Sequence, residues 1–329
     1  MDINNNTILT VNDLSIQFMN KRKAVNVVDD LSFDVKAGDV LGIVGESGCG
    51  KTVTSLAIMR LLPGNARISS GRIICAGKSL LDLTEDEMCD VRGNLISIIL
   101  QDPMTALNPT ATIGKQLIEP FMIHQGLSKD DAWEHAISML RKVGISSPEN
   151  RMREYPHQMS GGMLQRIVIA TALACKPKVL IADEPTTALD VTIQAQILDL
   201  IKDLCKELGT AVILITHDMG VVAEMADDVL VLYSGRAVEY GSAEKVFRNA
   251  KHPYTKALLR SIPSLETSVE KLNVIPGTIP VFGNVPAGCR FEPRCEEKCG
   301  LCAQREPDLY QTEDGLVRCF RYLPQEQNG

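Results

Sequence analysis

Eight consecutive residues have the types and spacing of a phosphate-binding loop. They are Gly45, Glu46, Ser47, Gly48, Cys49, Gly50, Lys51 and Thr52. An apolar run at 40–44 precedes them, and a helical pattern from Thr54 to Leu62 follows. In that context, glycines let backbone N–H groups surround phosphate oxygens, and the following helix points its positive end at them. We expect Lys51 to reach the β and γ phosphates and Thr52 to ligate Mg²⁺, so the segment predicts a nucleoside triphosphatase site.

Two carboxylates end a second apolar pattern. Asp183 and Glu184 follow the run Val179–Ala182. We expect Asp183 to hold Mg²⁺ through water, and Glu184 to polarise the water that attacks the γ-phosphate. The alternative is a pair of acids that only cap a buried strand, and the phosphate loop makes that the weaker interpretation.

A second anion site is predicted at Ser160, Gly161 and Gly162, which open a helical run toward Ala174. A serine and two glycines at a helix N-terminus present N–H groups to an anion, although they also serve as a simple cap. Since the chain already has one phosphate loop, a second site suggests that two subunits share each nucleotide.

Two more polar residues stand at predicted strand ends. Gln101 follows the apolar run 96–100 and enters a helical region, where it could bridge metal or water and report the nucleotide state. His217 follows the run 211–216. A histidine there is usually structural, but a strand beside the Asp183 strand would bring it near the γ-phosphate as a polar clamp.

The surrounding patterns predict an α/β fold. Continuous short apolar runs are typical of parallel strands buried on both faces, and an intervening helix gives a β–α–β unit. Ser234-Gly235 between two apolar runs predicts a tight hairpin. Residues 102–158 contain helical patterns and no convincing strand. The predicted strands are Leu9–Phe18, Val27–Val35, Val40–Val44, Val179–Ala182, Ala211–Ile215, Val229–Tyr233 and Arg236–Tyr240, with helices over Ser128–Val143 and Thr192–Leu208.

Composition narrows the function classes. The chain has 329 residues, about two domains' worth, and is 45% hydrophobic, typical of a globular protein. Its net charge of −7 argues against broad electrostatic capture of nucleic acid. No apolar run approaches the roughly 18 residues of a membrane span, and the N-terminus lacks the pattern of a secretory signal. We expect a cytoplasmic chain that meets a membrane only through a partner.

Five of the ten cysteines crowd into the proline-rich tail, at Cys289, Cys295, Cys299, Cys302 and Cys319. Disulfides are not expected without signs of export. Zinc sites usually include a close pair, which Cys299 could form with a neighbour. Four thiolates in a segment with little apolar core fit an iron–sulfur cluster at least as well. Zinc and a metal-free tail remain the alternatives.

Together, these motifs resemble the ATPase subunit of an ABC transporter from about residue 8 to 250. The resemblance identifies Walker A at 45–52, the Q-loop at Gln101, the signature at 160–165, Walker B at 179–183 with catalytic Glu184, the D-loop at 188–190 and the switch histidine His217. It implies a P-loop NTPase core of ABC type with an N-terminal antiparallel β subdomain, a helical insertion at about 102–165 and a small Cys-rich C-terminal extension. The implied domains are 1–260 and 261–329.

The resemblance also implies the composite ATP site of this family. Two such domains pair head to tail, with ATP between the loop at 45–52 of one and Ser160-Gly161-Gly162 of the other, and with Asp190 at the same interface. Phe18 falls where the family has an adenine-stacking aromatic, although a strand core residue is an equal interpretation. The implied catalytic residues are Glu184, His217 and Gln101, and the implied Mg²⁺ ligands are Thr52, Gln101 and Asp183.

Further segments are similar to oligopeptide and dipeptide importers, specifically their D-type ATPase subunit. They are Leu100–Pro109, Tyr155–His157, His252–Tyr254 and the cysteine tail. The resemblance implies a homologous second ATPase, two transmembrane permeases, an extracytoplasmic peptide-binding protein and a peripheral location on the cytoplasmic face of the cell membrane. It implies a [4Fe–4S] cluster on Cys289, Cys295, Cys302 and Cys319. Nickel and glutathione importers share much of the pattern. A soluble ABC-type ATPase acting on DNA or ribosomes is disfavoured by the single P-loop and the acidic charge.

Overall fold

The computed structural model describes residues 6–20, 23–187, 189–261 and 275–324. The chain divides into two compact units. The first unit contains Met1–Leu9, Val35–Asp39 and Cys75–Ile213, and the second contains Thr10–Asp34, Val40–Ile74 and Leu214–Gly329. The phosphate loop and the cysteine tail therefore belong to the second unit, whereas Gln101, the signature and the Asp183–Glu184 pair belong to the first.

The described residues form an α/β fold that contains both strands and helices. The strands are β1 (Thr7–Asn20), β2 (Lys23–Lys36), β3 (Val40–Val44), β4 (Ala66–Cys75), β5 (Lys78–Ser79), β6 (Ile96–Ile99), β7 (Val179–Asp183), β8 (Ala211–Thr216), β9 (Asp228–Tyr233), β10 (Arg236–Ser242), β11 (Tyr310–Thr312) and β12 (Gly315–Val317). The helices are α1 (Lys51–Ile58), α2 (Glu85–Val91), α3 (Pro103–Ala106), α4 (Ile113–Gln125), α5 (Lys129–Lys142), α6 (Pro148–Arg151), α7 (Gly161–Leu173), α8 (Val191–Leu208), α9 (Met219–Met225), α10 (Ala243–Asn249) and α11 (Pro253–Arg260).

The first unit contains the predicted helical region. Helices α4 and α5 pack on each other and both pack on α7. The packing is close, because a side chain at Gly114 would meet Trp133 at 2.7 Å. Residues 102–158 contain helices and no strand, as predicted. Strand β7 pairs in parallel with β6, with Ile99 opposite Ala182, and every residue of β7 is buried. This pairing places the ends of both strands, and therefore Gln101 and Glu184, at one edge.

The second unit contains two groups of strands. One has the order β11–β12–β10–β9–β3, with β3 parallel to β9 and the other neighbours antiparallel. The other has the order β2–β1–β4 and belongs to the predicted antiparallel β subdomain. The hairpin between β9 and β10 turns at Ser234 and Gly235, both with positive φ (46° and 83°) as a two-residue hairpin turn requires. Because β3 runs into the phosphate loop, its parallel partner fixes where that loop begins.

Part of the tail packs into the apolar core of the second unit, which the sequence analysis does not anticipate. Phe291 is buried in a cluster with Tyr233 and Tyr254, at ring-centroid distances of 5.2 and 5.4 Å. Strand β12 adds to β10, with Val317 opposite Glu239. The tail residues 275–324 are therefore held by core packing and strand pairing.

Helix α1 ends four residues before the predicted limit at Leu62. Its C-cap is Met59, and Arg60 has a φ of +53°, which breaks the helix. The residue before a proline is also biased away from helical geometry, which excludes Leu62 before Pro63. Across the part of the chain that the structure describes, no helix combines the length and apolar character that a bilayer crossing needs.

Candidate nucleotide-binding and hydrolysis site

The phosphate loop lies between β3 and α1, as the sequence predicts. Gly45, Gly48 and Gly50 have φ values of +155°, +79° and +110°. Glycine adopts such positive φ values far more readily than residues with a side chain do. A Cβ at Gly45 would lie 2.3 Å from the Leu232 carbonyl oxygen. Gly50 is the N-cap of α1. The loop is therefore a glycine-dependent turn that delivers a helix N-terminus, the geometry that binds phosphate through backbone N–H groups.

Lys51 lies inside this loop and is only 5% exposed. Its ammonium donates to the carbonyl oxygens of Gly45 and Glu46 at 2.8 and 3.2 Å. These contacts hold the lysine against the loop that must receive phosphate oxygens. Thr52, the predicted Mg²⁺ ligand, is the second residue of α1 and is exposed, and Ser47 and Gly48 form the exposed turn of the loop.

Cys49 is fully buried under the loop. Burial raises the pKa of its thiol, with Lys51 acting in the opposite direction. A thiol that stays protonated and hidden is a poor nucleophile. Cys49 is thus a small buried side chain of the loop, and its backbone carbonyl accepts a 2.8 Å hydrogen bond from Gly235.

The second loop residue, Glu46, is fixed by side chains that sequence reasoning missed. Its carboxylate accepts two hydrogen bonds from Arg294, at 2.7 and 3.1 Å, and its backbone N–H donates to the Tyr254 hydroxyl at 2.9 Å. Tyr254 and Arg294 lie in segments whose sequence indicates only a similarity to peptide importers. No local pattern could reveal a contact across 248 positions of sequence.

Gln101 and Glu184, each predicted to be catalytic, are in direct contact within the first unit. The Gln101 amide donates to the Glu184 carboxylate at 2.8 Å, and the Thr187 hydroxyl donates to the same oxygen at 3.0 Å. Glu184 has a φ of +47°, which is strained for a residue with a side chain. Strained backbone held by side-chain hydrogen bonds is common where a carboxylate must be aimed. Asp183, one residue earlier, is 2% exposed at the end of β7.

The signature residues open α7 as predicted. Ser160 is the N-cap, and its hydroxyl accepts the Met163 N–H at 3.4 Å. Gly161 and Gly162 are the first residues of the helix, and a side chain at Gly162 would meet Ile193 at 3.3 Å. The serine and glycine N-terminus therefore has the form of an anion site, and a cap alone would give the same local geometry.

The remaining predicted residues lie at the expected places in the chain. Asp190 is the N-cap residue of α8 and is exposed, whereas Ala188 of the same motif lies outside the described residues. His217 directly follows β8 and is exposed. Phe18 is half-buried on β1. Their roles as nucleotide contacts stay predictions.

Four tail cysteines line one small cavity of about 10 Å³, namely Cys289, Cys295, Cys302 and Cys319. Cys299 is not among the lining residues; it is exposed and its sulfur lies 3.5 Å from that of Cys302. Burial raises the pKa of Cys289 to about 12, so without a metal its thiol is protonated. Within the described ranges, no group of three metal-ligating side chains is arranged to hold a single metal ion.

Known proteins resemble this chain over most of its length. The family model for ABC transporters matches residues 28–187, and the model for the oligopeptide/dipeptide transporter C-terminal region matches residues 238–302. The oligopeptide transport ATP-binding protein AppD of Bacillus subtilis is 48% identical over 96% of this chain and 97% of its own length. OppD of Salmonella typhimurium is 48% identical over 96% and 94%, and the dipeptide transport protein DppD of Bacillus subtilis is 48% identical over 95% and 94%.

Solved structures share the fold. CbiO1 from Clostridium perfringens, part of the ABC transporter complex cbiONQ, has a TM-score of 0.64 at 30% identity, over 74% of this chain and 92% of that one. A dimeric ATP-binding cassette bound to ADP and phosphate has a TM-score of 0.64 at 24% identity, over 72% and 99%. The chain therefore belongs to the ATP-hydrolysing subunits of ABC transporters, within the family of oligopeptide and dipeptide transport ATP-binding proteins.

Proposed function

We propose that this chain hydrolyses ATP to power the import of oligopeptides or dipeptides across the cytoplasmic membrane, as a peripheral subunit on its cytoplasmic face. The observation that carries the proposal is the near full-length similarity to proteins named for peptide transport, which includes the C-terminal region. No feature of the described residues favours nickel or glutathione over peptides.

In this proposal, the loop at 45–52 binds the triphosphate. Lys51 exchanges the carbonyl oxygens of Gly45 and Glu46 for β and γ phosphate oxygens, which supplies positive charge where negative charge develops. Thr52, Asp183 and Gln101 are the residues that would hold Mg²⁺, which would supply positive charge to the phosphates. The Glu184 carboxylate orients the attacking water and takes its proton, and the hydrogen bonds from Gln101 and Thr187 keep it aimed.

We further propose that each ATP is shared by two ATPase subunits, this one and a homologous partner. The support is the exposed helix N-terminus at Ser160–Gly162, a second anion site in a chain that already has one phosphate loop. In this arrangement the partner's phosphate loop faces Ser160 of this chain, with Asp190 at the same interface and His217 contacting the γ-phosphate. Phe18 stacks on adenine.

A groove in the first unit is suited to a permease. It has a volume of about 1100 Å³ and is lined from Ala106 to His124, with further residues from α5 and α7. Two apolar side chains beside it are unusually exposed for their type, Met122 at 41% and Ile123 at 65%. We propose that a cytoplasmic helix of the transmembrane subunit occupies it, and that Gln101, at the start of the helical region, links its movement to the nucleotide.

The groove proposal is tested by Ile123→Asp, with Val281→Asp as the matched control at an exposed apolar residue that does not line the groove. Ile123→Asp should lower peptide uptake in the assembled transporter while MgATP binding by the isolated chain stays unchanged. Normal uptake by Ile123→Asp would contradict the proposed docking.

The support for a [4Fe–4S] cluster is that four tail cysteines line one cavity and Cys299 does not. We propose that Cys289, Cys295, Cys302 and Cys319 hold the cluster as a structural cross-link. The walls of the 10 Å³ cavity must move apart to admit a group of that size. Binding requires the four thiols to lose protons, since thiolates are the ligands. Zinc is the alternative.

Anaerobic purification followed by iron and acid-labile sulfide assays tests this assignment. Near four irons and four sulfides per chain are expected, with loss in Cys295→Ser and retention in the control Cys299→Ser. A colourless protein with one zinc per chain, or cluster loss in Cys299→Ser equal to that in Cys295→Ser, would contradict it.

The transport proposal is tested by purifying the tagged chain from its own membranes in mild detergent. A second similar ATPase, two multi-spanning proteins and a peptide-binding protein should accompany it. Recovery with ribosomes or DNA-repair proteins instead would leave only the ATPase chemistry.

A further inference from the structure

We propose that Arg294, in the C-terminal tail, is a positioning residue of the phosphate loop. It fixes Glu46 and neutralises its carboxylate, so that the ATP affinity of the loop depends on the tail. The inference rests on the ATPase activity of the family and not on the transported substrate.

The residues around Arg294 hold its side chain in contact with Glu46. The guanidinium donates two hydrogen bonds to the Glu46 carboxylate, the bidentate arrangement that fixes both position and orientation. Its remaining N–H groups donate to the Pro276 and Ile275 carbonyls and to the Tyr233 hydroxyl, at 2.9, 3.4 and 3.3 Å. The Arg294 side chain is only 4% exposed. A buried guanidinium with every donor used has little freedom to release Glu46.

Glu46 is also held through its backbone. Its N–H donates to the hydroxyl of Tyr254, a fully buried side chain packed against Tyr233 at a ring-centroid distance of 4.6 Å. Its carbonyl accepts from Lys51 at 3.2 Å. Glu46 therefore connects the tail to the lysine that must meet the phosphates, and a shift of Glu46 moves a partner of that lysine.

The positive charge of Arg294 also affects ATP binding. A glutamate in a loop that binds a triphosphate places negative charge beside a polyanion, and like charges close together repel. The guanidinium cancels that charge in a site with limited solvent, where Glu46 is 30% exposed. Loss of Arg294 would leave an unpaired carboxylate next to the incoming phosphates.

The two effects are separable by variants of the full chain. Arg294→Ala should weaken MgATP binding about tenfold or more, measured as Kd with a fluorescent ATP analogue and as KM for hydrolysis, with a smaller change in kcat. Arg294→Lys keeps the positive charge but loses the planar guanidinium that makes two hydrogen bonds to one carboxylate. Its MgATP affinity should lie between those of the wild type and Arg294→Ala. In a Glu46→Gln background, the same Arg294→Ala change should cost much less affinity, because no carboxylate is left unpaired.

Arg318→Ala is the matched control. Arg318 is another buried tail arginine, but it donates to the Ala237 and Pro307 carbonyls and pairs with Asp30, none of which is a residue of the phosphate loop. It should lower the melting temperature at least as much as Arg294→Ala while MgATP affinity changes little. Three results would each overturn the proposal. The first is an equal loss of MgATP affinity in Arg318→Ala and Arg294→Ala, and the second is an unchanged Kd for MgATP in Arg294→Ala. The third is a loss of affinity on Arg294→Ala that is the same with Glu46 and with Gln at position 46.

Discussion

Replacing Glu184 with glutamine separates its chemical role from its structural role. The Glu184 carboxylate oxygen accepts hydrogen bonds from Gln101 at 2.8 Å and Thr187 at 3.0 Å. A glutamine amide oxygen can accept the same two bonds, and it keeps the backbone at φ +47° under the same restraints. The negative charge and the ability to take a proton are lost, so MgATP binding should be at least as tight as in the wild type.

The expected fall in kcat follows from the role of Glu184 as the general base. A positioned general base contributes about 10²–10⁴-fold to rate. At about 1.36 kcal/mol per tenfold, this raises the activation free energy by roughly 3–5 kcal/mol. Gln101→Ala removes one hydrogen bond to a charged group, worth about 1.5–3 kcal/mol when such a bond is lost. We expect kcat to fall further in Glu184→Gln than in Gln101→Ala.

The assay is steady-state phosphate release at saturating MgATP, with Kd for MgATP measured on the same preparations. Thr187→Val is the control, since it removes the other hydrogen bond to Glu184 while the carboxylate remains. Retention of more than about a tenth of the wild-type kcat by Glu184→Gln would refute its assignment as the base. So would a Gln101→Ala rate as low as that of Glu184→Gln.

Three further predictions concern the second unit and the cysteines. Gly45→Ala should abolish MgATP binding and lower the melting temperature, because the new Cβ would lie 2.3 Å from a backbone oxygen. A Cβ at Gly48 would have no atom within 4 Å, so Gly48→Ala should lower stability by only about 1 kcal/mol through backbone strain. Burial acts to raise the pKa of Asp29, but Arg236 and Arg290 outweigh it and lower that pKa below 3.8. Asp29 thus stabilises the fold above its unfolded pKa and loses this contribution as pH falls through the lower folded value. Asp29→Asn should therefore reduce stability at neutral pH and flatten the loss of stability below about pH 4 in urea titrations. Iodoacetamide at neutral pH should modify exposed Cys89 before buried Cys49 in peptide mass spectra, and the reverse order would contradict the loop geometry.

The phosphate loop and the strands around it were predictable because their signals are local. A glycine-rich turn between an apolar run and a helix is contained in about twenty residues, and the structure places Gly45–Thr52 accordingly between β3 and α1. The Gln101–Glu184 contact spans 83 positions and was not predicted. It follows from the parallel pairing of β6 with β7, which brings the ends of both strands to one edge.

The structure of the C-terminal tail could not be predicted from its sequence. Strands β11 and β12 have three residues each, too few to give a period, and their position is set by pairing with β10. Arg294 looks like one charged residue among cysteines and prolines until the fold brings it to Glu46. Burial of a charged side chain depends on a distant partner, and that information is tertiary.

The central claim, that ATP hydrolysis by this chain powers peptide import, is tested most directly by uptake of a radiolabelled peptide into proteoliposomes. The chain is reconstituted with the membrane proteins that co-purify with it and with the peptide-binding protein. We predict uptake that requires MgATP, hydrolysis that rises when peptide-loaded binding protein is added, and loss of both in Glu184→Gln. Uptake that persists in Glu184→Gln, or hydrolysis that never responds to peptide, would contradict the account.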